Sequence, residues 1–208
     1  MSDNQPRLTR TARREATRQR LLTAAISAFG ERGFYGTSVE DICERAGFTR
    51  GAFYSNFSNR DDLVLELLQI QVQEFTSHIA ALTERDDLNP GELLIKIIDS
   101  WEAHHHDEAA WHLLLAEFSL HALRDANAGA AYAAVQRSMR EQVSQAIETR
   151  LERAGSRLTV PSDQLVRLCI AVALGSADQH LLEPDALPRG LLERTFLPLL
   201  IDSVLVES

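Results

Sequence analysis

The chain has 208 residues, 45% of them hydrophobic and 25% charged, with a net charge of −9. Such a composition fits a globular protein large enough for a core of its own, and 10 Gly with 6 Pro are too few for a loop-rich all-β fold. An acidic balance at first argues against nucleic acid. Its distribution reverses that inference. Residues 1–60 hold ten Arg against six Asp or Glu, a balance of +4, whereas residues 61–208 hold 11 basic and 24 acidic residues, a balance of −13. A basic head on an acidic body is a local footprint for phosphates.

Residues 1–10 are polar, include Pro6, and are expected to form a disordered arm. Residues 1–20 contain no apolar h-region, so they do not read as a secretory signal. From Thr11 to Phe29 the apolar positions Leu22, Ala25, Ile26 and Phe29 fall at helical spacing, and Gly30 and Gly33 are expected to stop that helix. Ser38 caps a short second helix, with Asp41 three residues on as a shortened capping box and Val39, Ile42, Cys43 and Ala46 as its buried stripe. Gly47 makes a turn. Thr49 caps a third helix in which Ala52, Phe53 and Phe57 face inward. Asn59 caps a long fourth helix, with Asp61 and Asp62 in its first turn, where carboxylates suit the helix dipole.

Asn89-Pro90-Gly91 ends the fourth helix region. A helix to about Ala103 and another from about Asp107 to Arg124 follow. Asn127-Ala128-Gly129 reads as a weak break before a helix to about Ala154. Pro161 and Ser162 open a helix to Leu182, and the last helix runs to about Val206 with a kink at Pro198. No stretch reads as a strand, and no uninterrupted apolar run reaches the roughly 18 residues that span a bilayer. The expected fold is all-α, about nine helices. Cys43 and Cys169 each sit in an apolar helical pattern and read as core residues in a reducing compartment. A cytoplasmic location is the expectation.

The segment Phe34 to Leu63 carries the most information. Two short helices are joined by a tight turn, and the second of them places Arg50, Gly51, Ala52, Tyr54, Ser55 and Asn56 on surfaces the core does not need. A helix-turn-helix presents polar groups to a DNA groove in this way.

The run GTSVEDICERAGFTRGAFYSNFSNRDDLV resembles the N-terminal domain of the tetracycline-repressor (TetR) family of bacterial transcriptional regulators. The likeness is carried by Thr37, Ser38, Gly47, Gly51, Tyr54, Phe57 and Arg60 over about 50 residues. Cys43 stands where the family usually has Ala, and Asn56 where it often has His or Tyr. The resemblance assigns DNA contacts to Thr37, Ser38, Thr49, Arg50, Gly51, Ala52, Tyr54, Ser55, Asn56 and Arg60. Backbone N–H groups beside Thr37 and Ser38 can hold a phosphate. Thr49 either caps its helix or bonds a phosphate. Gly51 lets the backbone approach DNA, Tyr54 offers its hydroxyl to a phosphate, and Arg60 holds the far side of the backbone. Arg50 is the candidate for guanine, with Ser55 and Asn56 as secondary base readers. The expected division is a DNA-binding domain over residues 1–60 and a ligand-binding and dimerisation domain over residues 61–208.

The helical body carries large side chains that suit an apolar pocket: Phe75, Trp101, Trp111, Phe118, Tyr132 and Met139, with Glu117, His121 and Gln136 as polar anchors. His104, Glu108 and His112 stand at successive i, i+4 steps, as do Glu117 and His121, a spacing that could hold a metal. An interhelix junction near His106 would break the stripe, so it reads as a polar face and no metal or other cofactor is assigned. Leu165, Leu168, Cys169, Val172, Ala173 and Ser176 form one apolar stripe, and Ala171 and Gly175 are small residues four apart. The last helix is apolar around much of its circumference through Leu191, Leu192, Phe196, Leu199, Leu200 and Val204. Such a pair needs a partner, and a two-fold bundle through Leu168, Val172, Gly175, Phe196 and Leu200 would supply one. It would set two reading heads one DNA turn apart, roughly 34–36 Å, on a near-palindromic operator. The reading is a dimeric DNA-binding regulator, a repressor released by a small apolar or amphipathic ligand. A metal-responsive regulator and an activator are its alternatives. No nucleophile elbow, phosphate loop, HExxH or paired-Cys motif points to an enzyme.

Overall fold

The computed structural model describes residues 10–103 and 108–207. In chain order these form α1 (Arg10–Gly36), α2 (Val39–Ala46), α3 (Arg50–Tyr54), α4 (Arg60–Thr83), α5 (Pro90–Ala103), α6 (Glu108–Arg124), α7 (Ala126–Arg153), β1 (Ser156–Leu158), α8 (Ser162–Leu182), α9 (Leu191–Val204) and β2 (Leu205–Glu207). The fold is all-helical apart from one small antiparallel pair, in which Ser156, Arg157 and Leu158 face Glu207, Val206 and Leu205. That pair corrects the expectation of no strand, and α9 therefore ends at Val204. Strands of three residues are too short for a period-of-two pattern to show in sequence.

The chain divides into two compact units. One takes α1, α2, α3, α4 up to Leu67, α6, and α7 up to Ala130; the other takes the rest of α4 and α7 with α5, α8, α9 and the strands. The first unit has a core of Leu21, Ala25, Phe29, Phe34, Ile42, Phe53, Leu63 and Phe118, all buried. Each such side chain contributes about 1.5–3 kcal/mol by leaving water. In the second, Ile79, Met139, Val143 and Val166 form one cluster, and Ile98 with Leu197 another.

Two expected breaks fall elsewhere. Gly30 stays inside α1, because a Cβ there would sit 2.8 Å from that of Ala110; the glycine gives α6 room to pack on α1. Only Gly33 interrupts the helix, at φ 70° and ψ 175°. The Phe34 N–H released by that interruption donates to the Glu117 carboxylate. The α6–α7 break is at Asp125, whose carboxylate accepts from the N–H groups of Asn127 and Ala128, both at 2.9 Å. Asn127 to Gly129 are thus the first turn of α7, and Gly129 is required there because a Cβ would lie 2.6 Å from the Ala122 carbonyl oxygen.

Candidate nucleic-acid interface

Local chemistry sets the geometry of α2 and α3. The Ser38 hydroxyl accepts from the Asp41 N–H at 3.1 Å, and the Asp41 carboxylate accepts from the Ser38 N–H at 2.8 Å. These reciprocal bonds make a complete capping box. The Ser38 bonds hold the Asp41 carboxyl below its ordinary range, with Arg32 adding to the effect. At the other end of α2, Gly47 adopts φ 71° and ψ 36°. Its N–H reaches the Glu44 carbonyl at 3.1 Å while the Phe48 N–H reaches that of Cys43 at 2.9 Å. The two bonds are a Schellman motif, which satisfies the last carbonyls of α2 and turns the chain. Arg20 ties the turn to α1, donating to the Ala46 carbonyl at 2.8 Å with its guanidinium 4.6 Å from the Phe48 ring. Thr49 then caps α3, its hydroxyl accepting from the Ala52 N–H at 3.3 Å.

The surface of α3 carries what a groove reader needs. Arg50 is exposed and forms a 2.7 Å ion pair with the equally exposed Glu40. Such a solvent-exposed pair is weak, so the guanidinium is available for exchange. Tyr54 is exposed, its ring packed edge-on against buried Phe53 at 5.3 Å. Gly51 is exposed, and an added Cβ would meet only the Thr49 hydroxyl, at an ordinary 3.7 Å. Nothing inside the chain asks for glycine there. Ala52 is half-buried beside it.

Other candidates are engaged within the chain. Thr37 is 1% exposed, and its hydroxyl donates to the Gly33 and Ala28 carbonyls at 2.8 and 3.1 Å. Arg60 donates to the Thr37 carbonyl and lies 4.1 Å from the Phe34 ring centroid; burial pushes its pKa down. It locks the α1–α2 junction. Ser55 donates back to the Ala52 carbonyl at 2.8 Å, as does the Asn56 amide. Arg14, absent from the sequence candidates, donates to the Ser55 carbonyl at 3.0 Å and to the Asn56 side-chain oxygen at 3.4 Å. It holds α3 from α1 and, with exposed Arg10 and Arg13, lines up positive charge on α1. The six Arg of the first 20 residues were the signal that could have found it.

In the second unit a cavity of about 160 Å³ is lined by apolar side chains of α4, α5, α7, α8 and α9, with Arg150 and Glu193 as its charged members. Of the sequence candidates, Phe75 and Met139 line it. Phe118 and His121 belong to the first unit instead. Phe118 is fully buried against Phe34, and His121 meets Asp61 at 2.8 Å. Trp111 also belongs to the first unit. Gln136 donates to the Tyr132 hydroxyl at 2.8 Å, and neither is a lining residue. The side chain of Trp101, and His104 with the rest of the stretch to Asp107, lie outside the described residues. Among the described residues no three His, Cys, Asp or Glu are grouped to hold a metal. Cys43 is buried, and burial pushes the cavity-lining Cys169 thiol up to about 11, which leaves it protonated and unreactive.

Of the dimer candidates, Leu168 and Phe196 are exposed, and open space lies beside Gly175. Val172 and Leu200 are half-buried against Ile98 and Leu197. Helix α8 is long and apolar enough to cross a membrane by length and composition alone, with a mean hydropathy of 1.3, but only 17% of that window is buried. Its stretch is interrupted by Arg167 and Asp178, which is why no uninterrupted apolar run announced it.

A helical protein whose α2 and α3 meet through a left-handed glycine, with α3 held against α1, is a helix-turn-helix protein. Residues 21–67 match the family of bacterial regulatory proteins known as tetR. The transcriptional regulator TtgR of Pseudomonas putida is 41% identical over 73 residues, 35% of this chain and 34% of TtgR. AcrR of Shigella flexneri is 33% identical over 99 residues, 45% of this chain and 46% of AcrR. The aligned stretches thus span a third to under a half of these curated relatives. In structure, the chain is similar to SmeT, the repressor of the Stenotrophomonas maltophilia multidrug efflux pump SmeDEF, with a TM-score of 0.64 at 23% identity over 93% of this chain and 92% of SmeT. The segment 21–67 is thus similar to the tetR family of regulators, and the likeness to SmeT shows the fold around it.

Proposed function

We propose that the protein is a DNA-binding transcriptional regulator, a dimeric repressor of a near-palindromic operator that a small apolar or amphipathic ligand releases. The observation that carries the reading is α3. It presents Arg50 and Tyr54 to solvent beside a Gly51 that the fold itself does not require. Backbone approach to DNA explains that glycine. Arg50 reads guanine, Tyr54 bonds a phosphate, and the Arg-rich start of α1 adds phosphate contacts that set register. Thr37, Thr49, Ser55, Asn56 and Arg60 act by shaping this surface, while Ser38 and Ala52 stand at its edge. The DNA-binding role belongs to residues 1–60, and ligand binding and dimerisation to residues 61–208.

The apolar cavity supports a ligand, and the exposed faces of α8 and α9 support a dimer. Helix α4 carries Arg60, which locks the α1–α2 junction, and Phe75, which lines the cavity. It is the element through which a ligand would bias the head, and the ligand needs only to favour the non-binding state by a few kcal/mol. The named role of SmeT as a repressor, and its complex with triclosan, favour repression and a small effector here. Footprinting on the intergenic DNA beside the protein's own gene is the test. A protected near-palindrome, lost on adding an effector, is expected. Protection that no ligand changes would remove the effector, and no protection at all would remove the regulator reading.

A further inference from the structure

Arg150 stands out among the residues around the cavity. It is 8% exposed on α7, its Nη2 donates to the Leu88 carbonyl at 2.8 Å, and its Nε–H is buried without an acceptor. Among the described residues no carboxylate pairs with it within 4.0 Å. A guanidinium stays charged at any physiological pH. A buried charge without a counter-charge, beside an N–H without a partner, is costly and rare. Glu193, the other charged group of the lining, is provided for. It accepts from the Ser176 hydroxyl at 2.9 Å and lies in the first turn of α9, where the helix dipole favours a carboxylate.

We infer that the cavity takes a small hydrophobic carboxylic acid whose carboxylate is received by Arg150. The inference rests on the reading of this cavity as the effector site. The charge-assisted bond to a carboxylate satisfies the orphan Nε–H and neutralises the guanidinium in one step. Around it Phe75, Val143, Ile147, Ile170 and Leu197 offer only hydrocarbon to the rest of the ligand. The volume of about 160 Å³ sets the size, since a cavity of roughly 150 Å³ holds one benzene. One ring or a short chain fits. Arg150 follows Val143 and Ile147 on the inward stripe of α7, so a lone Arg on an apolar stripe was the sequence signal for it.

The test is calorimetric titration of the full-length protein with 4-methylbenzoate and with 4-methylbenzyl alcohol, which share a ring and differ in the charged head. The acid is expected to bind at least about ten-fold more tightly, the worth of one charge-assisted hydrogen bond. In Arg150→Gln that preference should shrink to about two-fold or less while the alcohol binds as before. If Arg150→Gln does not fold, Arg150→Lys keeps the charge without the Nε–H and should lose part of the preference for the acid alone. Equal binding of the two ligands by the wild type, or an unchanged preference in the folded variant, would overturn the role of Arg150 and leave the cavity as a site for neutral ligands. Failure of both to bind, or binding unchanged by Ala173→Trp, which fills the cavity, would sink the effector-site reading itself and this inference with it.

Discussion

Gly51 separates folding from DNA binding more cleanly than any other residue of α3. Its Cβ position is open apart from an ordinary 3.7 Å contact, and alanine inside a helix is favoured over glycine by about 0.5–1 kcal/mol. Gly51→Ala should therefore melt no lower than the wild type, and its affinity for the operator should fall at least about ten-fold because the methyl group holds the backbone off the DNA. Thermal melts and a mobility-shift titration on one preparation check both halves; undiminished affinity would refute close approach at Gly51. Arg50 is tested by specificity. Its exposed pair with Glu40 adds little to the fold, so Arg50→Ala should leave stability unchanged, cost about 1–3 kcal/mol on the operator and relax the preference at one base pair. Equal losses on operator and random DNA would make Arg50 a phosphate contact. Arg60 differs. Its truncation removes a bond to the Thr37 carbonyl and the stacking on Phe34, so stability falls along with binding.

At the scale of elements, what was legible is what is local. Ser38, Asp41, Gly47 and Thr49 announce the ends of α2 and α3 because each cap is satisfied within a few residues. The Gly30 stop and the Asn127–Gly129 break misread glycines whose reason lies across the unit, at Ala110 and Ala122. Of the pocket candidates, Phe75 and Met139 line the cavity, whereas Phe118 and His121 lie in the other unit for the same reason. Aromatic content marks Phe118 as core without saying which core, and Arg150, a lone Arg on an apolar stripe, shows its orphan Nε–H only when the lining is assembled. The capping box of α2 has a pH signature. Its Ser38 bonds depress the Asp41 carboxyl, so its contribution to stability is present above the unfolded carboxyl value, about 3.9, and disappears as pH falls through the lower folded value. Asp41→Asn should thus be less stable than the wild type at pH 7, with the gap closing on acidification below about pH 3.9. A gap that stays constant across that range would show that Asp41 acts by shape and not by charge.

At the scale of the whole molecule, the unanswered demand is the apolar surface of the second unit. Leu182 is 81%, Leu199 63% and Phe196 57% exposed, and α8 hides little of its apolar window. Exposed apolar side chains of this size call for a partner, and identical faces meet across a two-fold axis. Neither Phe196 nor Leu199 supports its own unit, because both side chains point away from the cluster that Ile98 and Leu197 build. Charges placed there should therefore split a dimer without unfolding the protomer. Phe196→Glu with Leu199→Glu is expected to shift sedimentation from dimer to monomer, to keep the helical circular dichroism of the wild type, and to weaken operator binding at least about a hundred-fold, since a lone head loses its second half-site while keeping the salt-dependent contacts of the first. A double variant that still sediments as a dimer would move the interface away from α9. A wild type that is itself monomeric at the concentration where it protects its operator would end the two-fold reading.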